Sequence, residues 1–141
     1  MPAARIDHRN TGAERVAIAR EVRAARRCAF CAERRAALSP TAVSGAHDAA
    51  TDLRPAIVDA VHRVVTDPGR LSRRFADEVI AAVSDARLVE LVGVVCTVML
   101  IDGFARTIGA DAPPLPEPVA GDPSRLRPTE AVDEGFLGER T

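Results

Sequence analysis

Between Leu91 and Ile101, eleven consecutive residues carry no charge. A membrane-spanning helix needs about 20 apolar residues, so this run reads as a buried helix. Ser84 offers a cap before it and Gly109 a C-terminal stop after it, which extends the helix from about Asp85 to Ile108. Its middle is apolar nearly all round, so it must be covered on most sides. A 141-residue chain rarely surrounds one helix completely. The run therefore predicts a homo-oligomer assembled through the helix 85–108, with enclosure within one subunit as the plainer alternative.

The remaining segments follow the same period. Thr11-Gly12-Ala13-Glu14 fits a capping box, in which the threonine caps an amide and Glu14 reaches back. A helix from Gly12 to about Arg27 follows, with Val16, Ala19, Val22 and Ala25 on one stripe. Strong helix formers fill Cys28 to Leu38. Ser39-Pro40 starts a short helix, Gly45 to Thr51 is a connection, and a helix opens at Asp52 with Pro55 in its first turn. Asp67-Pro68-Gly69 stops it. Ser72 caps another, with Phe75, Val79, Ile80 and Val83 as its stripe. No strand-like alternation is evident. The fold class is all-α, about six helices in one domain at 11–110. An N-terminal arm at 1–10 precedes it and a Pro-rich tail at 111–141 follows. Six prolines between Pro113 and Pro128 exclude a helix from that tail, leaving Phe136 and Leu137 as its apolar anchors.

Composition excludes several function classes. A net charge of −1 gives no general attraction to nucleic acid or anionic membranes. With no Trp or Tyr there is no base-stacking platform, and with no lysine there is no lysine catalysis. The polar start from Met1 to Asn10 lacks the apolar core of a signal peptide. The expected setting is a reducing cytoplasm, where a Cys-x-x-Cys is more often catalytic or metal-binding than structural.

Cys28-Ala29-Phe30-Cys31 is that motif. Two cysteines three positions apart can close a disulfide across one helical turn or share a metal. A helix N-terminus and the flanking Arg26, Arg27, Arg34 and Arg35 favour a thiolate, most directly at Cys28. The motif therefore predicts a reactive dithiol. Burial of both cysteines as small hydrophobes is the plainer alternative. Metal binding is the weakest, because Cys28, Cys31 and one histidine lack a fourth ligand and a second paired motif. His62 reads as a core or rim histidine. His47 lies in an expected loop, His8 in the arm has no role, and Cys96 reads as a buried small hydrophobe.

Three stretches resemble the alkylhydroperoxidase D and carboxymuconolactone decarboxylase superfamily, closest to its peroxidase-related members. They are Cys28-Ala29-Phe30-Cys31 with Ala36 to Pro40, the segment Val61 to Ser72, and the helix from Ser84 to Ala105. The resemblance implies a helical subunit forming dimers, trimers or hexamers. It also implies a thiol peroxidase that reduces a hydroperoxide, is regenerated by a thiol reductant, and needs no cofactor. Cys31 would attack the peroxide and Cys28 would resolve. In active members a histidine four residues after the second cysteine and a glutamate on the preceding helix relay protons. Here the histidine position is Arg35, which can stabilise a thiolate or bind an anion but cannot shuttle a proton. The glutamate position falls near Val16. Glu14, two residues earlier, and Glu21, two turns before Cys28, are the substitute carboxylates. The relay is thereby weakened, and the alternative is a non-catalytic, oligomer-forming protein of the same superfamily.

Overall fold

The computed structural model describes residues 10–120. Residues 1–9, which hold His8, and 121–141, which hold Phe136 and Leu137, lie outside the described residues. The described chain is all-helical, with five α-helices and two 3-10 turns among these residues. The helices are α1 (Gly12–Ala25), α2 (Ala29–Ala36), α3 (Pro55–Thr66), α4 (Arg73–Val83) and α5 (Asp85–Thr107). The 3-10 turns occupy Pro40–Ala42 and Pro68–Arg70.

The expected caps explain most boundaries. Thr11 accepts from the Glu14 amide and the Glu14 carboxylate accepts from the Thr11 amide, the capping box that starts α1. Ser72 caps α4 through the Phe75 amide. Gly109 ends α5 at φ +73, with its own amide donating to Arg106 and the Ala110 amide to Ala105, a Schellman closure. One start differs: α3 opens at Pro55 rather than at Asp52. The proline ring disfavours helical backbone in the residue before it, so Arg54 stays extended at ψ 139. The irregular connection consequently runs from 43 to 54, longer than expected.

α1 packs against both α3 and α5, while α4 bridges α3 and α5 and α2 rests on α3. Ile18, Val22, Ile57, Val61, Leu91 and Val95 form the centre, closed on one side by Phe75, Val79 and Val83. Long-range polar ties bind α5 to α1 at both ends. Arg23 grips Asp102 in a two-bonded fork at 3.1 and 2.9 Å. At the other end Glu90 takes Arg15 at 3.0 Å and the Asn10 amide at 2.9 Å. Arg23 also donates to the Pro113 carbonyl, which holds the irregular segment 110–120 back along α1.

α5 departs from its expected surroundings. It buries Leu91, Val95, Val98, Asp102 and Ala105, but its opposite face is open, and Cys96 is exposed there rather than buried. By length and apolar character it is the one described helix that could cross a membrane. Its inner face packs on three helices and carries the Asp102–Arg23 pair, while only 28% of its most apolar stretch is buried.

The core reading has a direct check. Ile18 is fully buried, whereas Leu38 is 105% exposed. Ile18→Ala should cost about 2–5 kcal/mol in urea denaturation, and Leu38→Ala should stay within about 0.5 kcal/mol.

Candidate metal centre

The first helix ends one turn before the Cys-x-x-Cys motif, and Cys28 is the N-cap of α2 in extended backbone. That break turns Cys28 and Cys31 inward, each only 3% exposed. The connection 43–54 then folds over them. Gly45 makes this possible: a Cβ there would stand 2.8 Å from the Phe30 ring, so only glycine lets the loop lie that close. The Asp48 carboxylate accepts from the Ala29 amide at 2.8 Å, and the Asp48 amide donates to Cys28 Sγ at 3.3 Å. These contacts deliver His47 to the sulfurs. From the other side α3 delivers His62, fully buried.

Four side chains meet as a result. His47 Nδ1 lies 3.8 Å from Cys28 Sγ and 3.3 Å from Cys31 Sγ, and His62 Nδ1 lies 3.3 Å from Cys31 Sγ. All four donor atoms fall within 4.8 Å of one another. The far nitrogen of each ring faces a carboxylate: His47 Nε2 is 2.9 Å from Asp59, and His62 Nε2 is 2.9 Å from Glu21. Ionised carboxylates only accept, so each Nε2–H donates outward and each Nδ1 faces the sulfurs. Two sulfurs and two ring nitrogens thus converge. A dication at the centre would engage all four.

Two features of the arrangement are compatible with a tetrahedral metal such as zinc. Zinc–sulfur bonds of about 2.3 Å and zinc–nitrogen bonds of about 2.0–2.1 Å imply sulfur–nitrogen separations of about 3.5 Å. Three of the four sulfur–nitrogen separations, at 3.3–3.8 Å, lie around that value, and all four donor atoms lie within 4.8 Å of one another. Carboxylates orienting the outer nitrogens are the usual support for histidine ligands. Glu21 is itself anchored, accepting from the Ala50 amide at 2.9 Å and the Thr51 hydroxyl at 2.6 Å. Asp59 is held by Arg34 at 3.1 Å.

Electrostatics separate the two thiols in the metal-free centre. Burial opposes ionisation of Cys28, but the Asp48 and Cys31 amides and His47 outweigh it and lower its pKa from 9.0 to about 6. Burial, reinforced by the neighbouring Cys28, pushes Cys31 up to about 12. For His47, burial is outweighed by Asp59 and Cys28, and its pKa rises. Asp59 also resists its burial and is lowered, through His47 and Arg34.

The candidate residues therefore divide. Cys28, Cys31 and Glu21 come together, with Glu21 reaching the sulfurs through His62. Glu14 stays in the first turn of α1, occupied by its cap and by Arg87 at 3.4 Å, and is not brought to the centre. Arg35 is exposed and only borders the cleft beside the cysteines; Arg34 is the arginine that acts on Cys31. The sequence alone assigns His47 and His62 no role at the sulfurs. Their signal was faint: fifteen residues separate Cys31 from His47, as in a zinc finger's first half, but fourteen more precede His62 where a finger allows about three to five. The chain matches no model of a known protein family, no curated protein and no solved structure.

In reduced, metal-free protein the two thiols should titrate far apart. The thiolate is the reactive form, so alkylation rises with pH through each thiol's own pKa. Mass spectrometry after iodoacetamide pulses should give half-maximal modification of Cys28 near pH 6. Cys31 should stay unmodified until strongly alkaline pH.

Proposed function

We propose that this protein is a zinc-binding helical domain whose Cys28, Cys31, His47 and His62 hold one metal ion. The observation that carries this reading is the convergence of the four donor atoms within 4.8 Å, each histidine backed by a carboxylate. Four protein ligands leave no open coordination position, which is the pattern of a structural rather than a catalytic zinc. The ion would clamp the start of α2, the 43–54 connection and α3 together. A reducing cytoplasm would keep both thiols available to it.

A second reading has its own support. Without metal, Glu21, His62 and Cys31 form a continuous hydrogen-bonded chain. This supplies the carboxylate and imidazole that Arg35 cannot provide. A cleft of about 340 Å³, rimmed by Arg26, Arg35 and Arg106, leads to both sulfurs. A thiolate there would take the terminal oxygen of a hydroperoxide and release the alcohol. The second thiol would then displace water to close the disulfide, and a thiol reductant would reopen it. This is the thiol-peroxidase chemistry implied by the resemblance to alkylhydroperoxidase D proteins. It uses the same lone pairs as the metal, so the two readings exclude each other in one molecule at one moment.

Protein purified under reducing conditions should contain one zinc per chain by elemental analysis. Cobalt replacement should give the intense visible bands of a tetrahedral thiolate site. Cys31→Ser or His62→Ala should abolish binding, and Asp59→Asn should weaken it about 10- to 100-fold. A metal-free preparation that takes up neither ion, yet consumes hydroperoxide at a rate His62→Ala lowers about 100-fold, would overturn the zinc reading in favour of the peroxidase.

A further inference from the structure

The cleft beside the two sulfurs, about 340 Å³, falls in the size range of small-molecule sites, which runs from about 300 to 1,000 Å³. α1, α2, α3 and α5 all bring their C-terminal ends to it, through Ala25, Arg35, Thr66 and Arg106. Arg26, Arg35 and Arg106 line it, and no acidic residue does among the described residues. These arginines come from three separate helix ends, so the fold assembles them rather than a run in the sequence. We infer that this cleft binds a small organic dianion, a phosphate monoester or a dicarboxylate, with the three arginines holding its oxygens beside Cys28 and Cys31.

The three arginines are free for that role. None of them makes an ion pair or a side-chain hydrogen bond among the described residues. Cations near a helix C-terminus ordinarily serve its carbonyl end. Two other arginines show that use. Arg54 donates to the Ala82 carbonyl, and Arg70 donates to the carbonyls of Arg34, Arg35 and Ala37. The three in the cleft make no such bond. Each helix end carries about half a negative charge, so four of them do not offset three guanidinium charges. Arginine also keeps its proton at any physiological pH, so the cleft stays cationic. The class of ligand follows from the donors. One carboxylate satisfies one guanidinium fork, whereas three forks match the several oxygens of a phosphate monoester or a dicarboxylate. Ala32, Val65 and Met99 line the cleft as well and suit a short carbon skeleton. None of the three arginines is among the four metal donors, so the inference needs neither the metal nor the disulfide.

The full chain, purified under reducing conditions, should bind inorganic phosphate and succinate saturably in nuclear magnetic resonance titrations at constant ionic strength. Arg35→Gln and Arg106→Gln should each weaken binding roughly 10-fold, as the loss of one charge-assisted hydrogen-bonded pair does. Arg27→Gln, equally exposed but outside the cleft, should change it by less than about twofold. In metal-free protein, saturating phosphate should also slow alkylation of Cys28 by covering it. Whichever dianion binds more tightly names the source, and either supports the inference. No saturable binding of either probe would overturn it. So would an equal loss in Arg27→Gln, which would reduce the effect to general charge. A chain that holds no zinc yet binds phosphate through Arg35 and Arg106 would sink the metal reading and leave this one standing.

Discussion

A carboxylate with no exposure to water sits near the middle of this helical core, and the arrangement around the sulfurs depends on it. Glu21 accepts from His62, from the Thr51 hydroxyl and from the Ala50 amide. It thereby ties α1 to α3 and to the irregular connection at once. Burying a charge costs several kcal/mol unless hydrogen bonds replace the lost water. The three donors satisfy that requirement, and no buried side-chain nitrogen or oxygen among the described residues lacks a partner. Removing His62 would leave the carboxylate buried and short of a partner, so the pair is coupled to folding as well as to chemistry.

The same tie explains how a twelve-residue segment without helix or strand keeps a fixed path. Its ordering has an entropic cost of about 1–2 kcal/mol per residue, and few of its residues are buried. What holds it is polar: Asp48 to the start of α2, His47 to Asp59, Ala50 and Thr51 to Glu21. A metal joining His47 to the two sulfurs and His62 would add the cross-link that such a segment otherwise lacks. Small domains commonly obtain stability in this way when their apolar core is modest.

How much could be read from the chain beforehand follows the range of each interaction. Capping boxes, proline stops and stripes of valine act within one turn, so α1, α4 and α5 were legible almost to the residue. The Asp67-Pro68-Gly69 stop of α3 was equally plain, whereas its start moved to Pro55 because a rule about the preceding residue outweighed the cap at Asp52. The dithiol was visible because its two members are three positions apart. His47 and His62 were not, because nothing local distinguishes a loop histidine or a mid-helix histidine from hundreds that do nothing. They reach the sulfurs only through the packing of α3 on α1 and the fold-back permitted by Gly45. Glu21 was singled out as a carboxylate two turns before Cys28. Its route to the sulfurs runs through a residue on another helix, which spacing along one helix does not reveal.

The metal-free centre also shows why four such donors are an unstable company by themselves. Cys28 gives up its proton readily because the Asp48 and Cys31 amides and His47 outweigh its burial, while burial and the neighbouring Cys28 keep the proton on Cys31. The site thus carries one readily lost proton, one retained proton and two Nδ1 atoms facing the sulfurs. A zinc ion would replace the proton on Cys31, neutralise both thiolates and accept both imidazoles, and it is the only step that engages every donor simultaneously. Oxidation to a disulfide would instead use the two sulfurs and leave both Nδ1 atoms facing an apolar bond. Buried lone pairs without a partner are costly. The two rings, held in place by Asp59 and Glu21, would therefore be better satisfied by the proposed metal than by a disulfide.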